Sequence, residues 1–201
     1  MIGFKKEFIF LHIPRTGGTS IESFLQPHVE FPDQETNHGQ LKHYPLSKYY
    51  EVFGKTPKPF YKFTVVRNPW DRMVSYYFHL NKEFNGAKFE KMLRLMGKNG
   101  VMIGCNFSEN IEGSLWYDFN SYYHWMHELK NEKVKAIRFE NLQDDFNKVC
   151  EELDIEIGEL PHINKTKKNH YSNYYNKRTK EMVEKAFSID INTFGYKYET
   201  I

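Results

Sequence analysis

The chain has 201 residues, of which 27% are charged and 17% aromatic, and its formal net charge is +2. This length is enough for one domain with a sizeable core, and a mean hydropathy of −0.70 is typical of a soluble protein. The sequence excludes a transmembrane helix, since no run approaches the roughly 20 apolar residues that one needs, and its two cysteines exclude a disulfide framework.

The first predicted unit is a strand followed by a tight turn and a helix. Residues Phe8 to Leu11 form a continuous apolar run, which predicts a buried strand. A basic residue, paired glycines and hydroxyls follow between Arg15 and Ser20. Main-chain N–H groups in such a turn can converge on an anion at the start of a helix. The segment therefore predicts a phosphate-binding loop, although an ordinary capped strand–turn–helix connection explains a lone double glycine about as well.

A second strand and helix are predicted between Lys62 and Leu80, where the sequence reads KFTVVRNPWDRMVSYYFHL. Asn68 and the proline after it suit the N-cap and the first helical position. Arg67 lies between the strand and this helix N-terminus, where the helix dipole favours an anion, and Ser75 follows about two turns along. These residues predict a second anion site; the alternative is that Arg67 only forms an ion pair with Asp71.

Periodicity predicts the remaining elements. Apolar residues at helical spacing predict further helices after His43, near 89–96, within 115–129 and in a last segment that ends near Phe194. Another strand and helix are predicted between Val134 and Leu153. No second domain boundary is evident, so we expect residues 1–201 to form a single domain. The expected fold class is α/β, with a central parallel β-sheet flanked by helices in three layers.

Together the two strand–helix motifs resemble the carbohydrate sulfotransferases that use 3'-phosphoadenosine-5'-phosphosulfate (PAPS), a family related to the heparan sulfate and chondroitin sulfotransferases. The family's first motif is HIPKTGGTS, and this chain has HIPRTGGTS. The second is VRNPxDRxxSxY, matched here by VRNPWDRMVSYY. The resemblance covers nearly the whole chain and implies a P-loop-like fold. It also implies that Arg67 and Ser75 hold the 3'-phosphate of the donor.

The resemblance implies further donor contacts. The residues carried over to the 5'-phosphosulfate are Arg15, Thr16, Gly17, Gly18, Thr19 and Ser20. The late segment NKTKKNHYSNYY is similar to the family's basic loop that helps to cover the nucleotide. This makes Lys165 and Lys168 candidate contacts for phosphate or acceptor, while a solvated basic face explains them about as well. One departure is Arg15, which stands where the family has a lysine, keeps the charge and is bulkier.

The resemblance also implies a histidine general base, since an acceptor hydroxyl must lose its proton as it attacks. The segment KHYPLSKYY resembles the family's segment with its catalytic histidine, which makes His43 the first candidate and His38 the second. A loop histidine that caps a turn is the alternative for either. His12, at the end of the first strand, is expected to orient the loop. Arg15 is expected to act in catalysis by stabilising charge on the departing phosphate oxygen.

The expected function is sulfuryl transfer from PAPS to a hydroxyl, with a glycan as acceptor. A P-loop kinase is disfavoured because Thr19 stands where the Walker lysine would be. A non-catalytic relative that binds nucleotide or glycan stays open because of Arg15. No metal is expected, since His124 and His127 lack a third ligand at convincing spacing, and no nucleic-acid motif is present. Without a leader or anchor in view, we expect a cytoplasmic protein that does not span a membrane.

Overall fold

The computed structural model describes residues 1–29, 43, 45–54, 60–94, 121–127, 132–163 and 168–201. The strands are β1 (Ile2–Gly3), β2 (Phe8–Leu11), β3 (Tyr61–Val66) and β4 (Lys135–Arg138). The α-helices are α1 (Gly18–Leu25), α2 (Leu46–Phe53), α3 (Pro69–Leu80), α4 (Gly86–Arg94), α5 (Tyr122–His127), α6 (Leu142–Glu152), α7 (Lys177–Ala186) and α8 (Ser188–Phe194). The chain divides into two compact units, one of Met1–Val66 with His124–Asn164 and the other of Arg67–Tyr123 with Lys165–Ile201. The single domain stays a prediction.

The first unit contains the sheet, whose strands lie in the order β1-β2-β3-β4. The three longer strands are parallel, with Phe10 paired to Phe63 and Val65 paired to Ile137. The predicted parallel sheet is therefore confirmed at its centre. Strand β1 adds an antiparallel edge to β2, which the sequence did not predict because two residues are too short for a periodic signal.

Both faces of this sheet are buried, which is why β2 reads as a continuous apolar run. Phe8 and Phe10 contribute to a core on one face that includes residues of α1 and α6. Ile9 and Leu11 contribute to a core on the other face with residues of α2. The layer order of helix, sheet and helix agrees with the predicted three-layer α/β fold.

A lysine lies inside the first unit, on β3. The Lys62 side chain is buried, its Nζ donates to the main-chain oxygen of Phe60 at 2.9 Å, and it pairs with Glu132 at 3.0 Å. The same Glu132 also accepts a hydrogen bond from the Tyr50 hydroxyl. Burial together with this hydrogen bond raises the pKa of Tyr50 to about 12. The charge of Lys62 is thus compensated, as a buried ammonium requires.

The second unit is built largely from rings that meet edge to face. The ring centroids of Tyr77 and Phe89 are 5.5 Å apart, and those of Phe89 and Tyr175 are 5.2 Å apart. Trp70 at the start of α3 contacts Tyr198 in the same manner, at 5.5 Å. The aromatic abundance of the sequence therefore forms a core here.

The last helix differs from its prediction, because one helix was expected and α7 and α8 are separate. The buried Phe187 between them has φ −111° and ψ 25°, outside the helical region. The break places the fully buried Asp190 at the start of α5, where its carboxylate accepts the Ser121 hydroxyl at 2.6 Å and the Tyr122 N–H at 3.0 Å. A carboxylate that satisfies first-turn N–H groups stabilises the helix that it caps.

Candidate functional site

The loop between β2 and α1 turns sharply through left-handed backbone. Arg15 has φ 67° and Gly17, the N-cap of α1, has φ 86°. The Thr16 hydroxyl is buried and donates to the main-chain oxygen of Ile13 at 2.7 Å. Gly17 has no side chain with which to cap α1, and among the first N–H groups of this helix that of Ser20 donates to the Gly17 carbonyl oxygen at 3.1 Å. Left-handed residues on either side of Thr16 are typical of turns whose main-chain N–H groups converge on an anion, and the anion site itself stays a prediction.

The paired glycines are required by neighbouring side chains as well as by the turn. A Cβ on Gly17 would lie 3.0 Å from the Phe139 ring and 3.1 Å from a methyl of Leu142. A Cβ on Gly18 would overlap the His12 ring and lie only 2.5 Å from its Nε2. The sequence alone explains these glycines by the room that an anion needs. The structure adds a second reason, because side chains of the protein pack closely against both glycines.

We expect Gly18→Ala to destabilise the protein by about 1–3 kcal/mol, because the new methyl overlaps the His12 ring in a closely packed site. At this chain length such a loss lowers the melting temperature by about 2–4 °C per kcal/mol. Gly86→Ala is the matched control, since Gly86 also begins a helix and the nearest atom to its Cβ would be 3.9 Å away. Thermal unfolding of both variants tests the clash; equal melting temperatures would contradict it.

His43 is hydrogen-bonded to the loop motif. Its Nδ1 lies 3.0 Å from the main-chain oxygen of His12, the residue that follows β2. A carbonyl oxygen only accepts, so Nδ1 must carry the proton and, in the neutral ring, Nε2 holds the lone pair. His43 is thus in the tautomer that can accept a proton through Nε2. The other candidate, His38, lies outside the described residues.

In the second unit, Arg67 and Lys168 share one carboxylate. Arg67 is buried and contacts Asp71 through Nε at 2.8 Å and through a terminal nitrogen at 2.6 Å. The Lys168 ammonium forms an ion pair with the other oxygen of Asp71. Two of the predicted nucleotide contacts are therefore brought together, and the ion pair considered as the alternative for Arg67 is present. Ser75 is buried on α3, and Lys165 lies outside the described residues.

The backbone of Arg67 is held by neighbours that the sequence did not single out. The Tyr122 hydroxyl donates to the main-chain oxygen of Arg67 at 2.9 Å, and the Arg72 guanidinium lies 4.8 Å from the Tyr122 ring centroid. The Asn68 side chain caps α3 as predicted, accepting from Trp70 N at 3.1 Å. A single tyrosine in an aromatic-rich segment carries no sequence signal, so Tyr122 could not be identified from the pattern.

The charges around Asp71 predict how stability depends on pH. Burial raises the pKa of Asp71, but the charges and hydrogen bonds of Arg67 and Lys168 outweigh it and leave that pKa below its ordinary value. A lowered pKa in the fold stabilises the protein above the unfolded value of about 3.9, and this contribution is lost as pH falls toward the folded pKa.

We therefore expect Asp71→Asn to cost about 1–3 kcal/mol at neutral pH, where it leaves two partly buried cations without their carboxylate. The difference from the wild type should begin to shrink as pH falls below about 4, where the unfolded carboxyl takes up protons, and should vanish only below the lower pKa of the folded carboxyl. Urea unfolding of both proteins between neutral pH and pH 3 measures the difference. A pH-independent difference would show that Asp71 does not act through its charge.

The sequence predicts neither a metal site nor a transmembrane helix, and both predictions can be compared with the structure only over the residues that it describes. Among them, no group of three or more His, Cys, Asp or Glu side chains could hold a metal ion, and the side chains of His124 and His127 lie outside them. No helix within those same ranges has the length and apolar character to cross a membrane.

A family model described as the sulfotransferase family matches residues 2–197. The crystal structure of mouse sulfotransferase SULT7A1 complexed with PAP is similar with a TM-score of 0.53 and 16% identity, over 95% of this chain and 86% of that chain. A sulfotransferase from Alicyclobacillus acidocaldarius gives a TM-score of 0.48 and 17% identity over 92% of each chain. The likeness to the mouse structure shows the fold alone. No curated protein matches this chain in sequence.

Proposed function

Because the chain belongs to the sulfotransferase family, we propose that it transfers a sulfuryl group from PAPS to a hydroxyl group of a carbohydrate. The observation that carries this proposal is the hydrogen bond between His43 and His12. It attaches the candidate base to the HIPRTGGTS motif, which is the proposed binding loop for the phosphosulfate. Donor loop and base would then belong to one local arrangement within the first unit.

The loop would hold the 5'-phosphosulfate through main-chain N–H groups at the start of α1. The left-handed conformations of Arg15 and Gly17 support this assignment, because alternating backbone conformations aim successive N–H groups at one point. Thr19 and Ser20 would add hydroxyl donors. Thr16 would contribute its main chain only, since its hydroxyl proton is already donated to Ile13.

The 3'-phosphate is assigned to the second unit. Arg67 and Lys168 bring two positive charges to the single carboxylate of Asp71, so this cluster keeps a net positive charge that favours an anion. Ser75, which lies on α3 like Asp71, is the further residue assigned to this phosphate, and Lys165 in the late basic segment stays a candidate contact for a phosphate or the acceptor. A contact to the 3'-phosphate would distinguish PAPS from ATP, which lacks that group.

In the proposed reaction the chain's residues move one proton and stabilise one charge. His43 Nε2 takes the proton of the acceptor hydroxyl, for which an imidazole with a pKa near neutrality is well suited. The Arg15 guanidinium stabilises negative charge on the departing phosphate oxygen. When bound, PAPS supplies the sulfuryl group and leaves as 3'-phosphoadenosine-5'-phosphate (PAP) with the electron pair of the broken S–O bond.

A second candidate is a protein that binds the same nucleotide without turning it over. Arg15 favours this alternative, since it stands where the resembled family has lysine and its left-handed backbone restricts where the side chain can point. Transfer of labelled sulfate from PAPS to a panel of glycans separates the two candidates. Transfer to any glycan supports the enzyme and identifies the acceptor class; tight PAP binding without transfer supports the second candidate.

The donor assignment is tested by thermal unfolding with PAP and with ATP. At a concentration one hundred times its Kd, PAP is expected to stabilise the protein by about 2.7 kcal/mol, or about 5–10 °C. At the same concentration ATP should shift the melting temperature far less, because it has no 3'-phosphate for Arg67 to bind. Equal shifts would contradict the assignment of the 3'-phosphate to Arg67 and would favour a P-loop kinase.

A further inference from the structure

The residue that contacts the candidate base His43 is a buried histidine, His12, and the carboxylate of Glu22 lies next to it. His12 Nδ1 is 2.8 Å from Glu22 Oε1, and the two side chains are only 4% and 14% exposed. The contact lacks the alignment of a hydrogen bond, and the negative charge of the carboxylate at that distance favours a proton on Nδ1 over a lone pair. A carboxylate buried to this extent needs a compensating partner, and His12 provides one for Glu22.

The His12 ring is enclosed by its neighbours. It stacks on Phe10 with a centroid distance of 5.8 Å and meets the His43 ring edge to face at 4.6 Å. On a further side it fills the space that a Cβ would take at Gly18, the first residue of α1. Rings packed in this way have little freedom to rotate, so Glu22 and the surrounding groups define one orientation of His12.

His12 also holds the base through its main chain, since its carbonyl oxygen receives the Nδ1–H of His43. His12 thus contacts His43 twice, once through the carbonyl and once through the ring. A histidine whose other nitrogen is held by a neighbour has its tautomer fixed, and such partners affect activity without touching substrate.

We propose that Glu22 and His12 form a positioning pair for His43. Glu22 fixes the His12 ring through Nδ1, and His12 in turn holds His43 as the tautomer with the lone pair on Nε2. The catalytic consequence rests on the proposed function, because it requires His43 to be the base. The structural part of the proposal, the tautomer of each ring, does not depend on any substrate.

The first test reads the tautomers directly. Two-bond proton–nitrogen NMR correlations of the full chain labelled with nitrogen-15 in its histidines distinguish Nδ1–H from Nε2–H in each neutral ring. We expect His43 to carry its proton on Nδ1 and His12 to carry one on Nδ1, in the protein without ligand. An unprotonated Nδ1 in either ring would overturn the proposal, whether or not the protein transfers sulfate.

The second test uses three variants of α1. Glu22→Ala removes the carboxylate and should reduce kcat by about 10–100-fold, with the KM for PAPS little changed and with His12 no longer held as the Nδ1–H tautomer. Glu22→Gln keeps an oxygen next to His12 Nδ1 and should retain the His12 tautomer and most of kcat. Ser23→Ala changes the exposed neighbour on the same helix and should change neither.

These outcomes separate positioning from a merely structural role. An unchanged His12 tautomer and kcat in Glu22→Ala would overturn the proposal, as would a loss of PAP binding and of the folded NMR spectrum in Glu22→Ala and Glu22→Gln alike. If wild-type protein transfers no sulfate, the proposed function fails by that result alone, while the NMR tautomers still decide whether the pair exists.

Discussion

Sulfuryl transfer by the His43→Ala variant is expected to fall by about 10²–10⁴-fold, the usual contribution of a positioned general base. Binding of PAP should be retained, because His43 is assigned to the acceptor proton and not to either phosphate. The variant removes the ring that donates to the His12 carbonyl at 3.0 Å. Single-turnover transfer of labelled sulfate, with PAP titration by calorimetry, measures the two effects separately.

His43→Asn is the matched control for folding. Its side-chain amide can still donate toward the His12 carbonyl but has no nitrogen that accepts a proton near neutral pH. We expect it to fold and bind PAP like the wild type and to lose transfer as alanine does. Transfer at the wild-type rate in either variant would mean that another group, such as His38, is the base.

The second large effect is expected from Arg67→Met, which should weaken PAP binding by about 10–100-fold. Loss of a charge-assisted contact of this kind costs about 1.5–3 kcal/mol. Affinity for adenosine 5'-phosphosulfate, which has no 3'-phosphate, should change little. Lys168 remains paired with Asp71 in this variant, so the carboxylate is not left without a cation. Calorimetric titration with both nucleotides measures the difference.

Arg178→Met is the control for the loss of one positive charge. Arg178 lies on α7 in the same unit, its side chain is 66% exposed, and it contacts Glu90 at the surface. Its loss should weaken both nucleotides slightly and equally. If Arg67→Met also weakens both nucleotides by one common factor, the assignment of Arg67 to the 3'-phosphate is wrong.

Much of the fold could be predicted because local signals and tertiary packing agree. The apolar run at Phe8–Leu11, the Asn68 cap and the helical spacing in α6 each correspond to the observed element. The two differences between the predicted and the observed elements have physical causes. Strand β1 is too short to show a period, and the break at Phe187 serves a contact between Asp190 and Tyr122 that lies 68 residues away in sequence.

The residues of the candidate site stay a prediction, and of the contacts among them the sequence offered only the pair of Arg67 with Asp71. The sequence indicated Arg67 and Lys168 separately, and only the fold shows that Asp71 joins them. His12 was expected to orient the loop, yet its pairing with Glu22 and its carbonyl contact to His43 required coordinates. Motifs identify residues that are close in sequence, whereas partners from distant segments have no fixed spacing to recognise.

The fit between Gly18 and the His12 ring has an evolutionary consequence. Gly18 cannot gain a side chain without cost, because its Cβ would need the volume that the His12 imidazole fills. Alanine at position 18 is therefore expected only in relatives whose residue at position 12 is smaller than histidine. The two sites would then change as a coupled pair, and the order of substitutions would be constrained by that step.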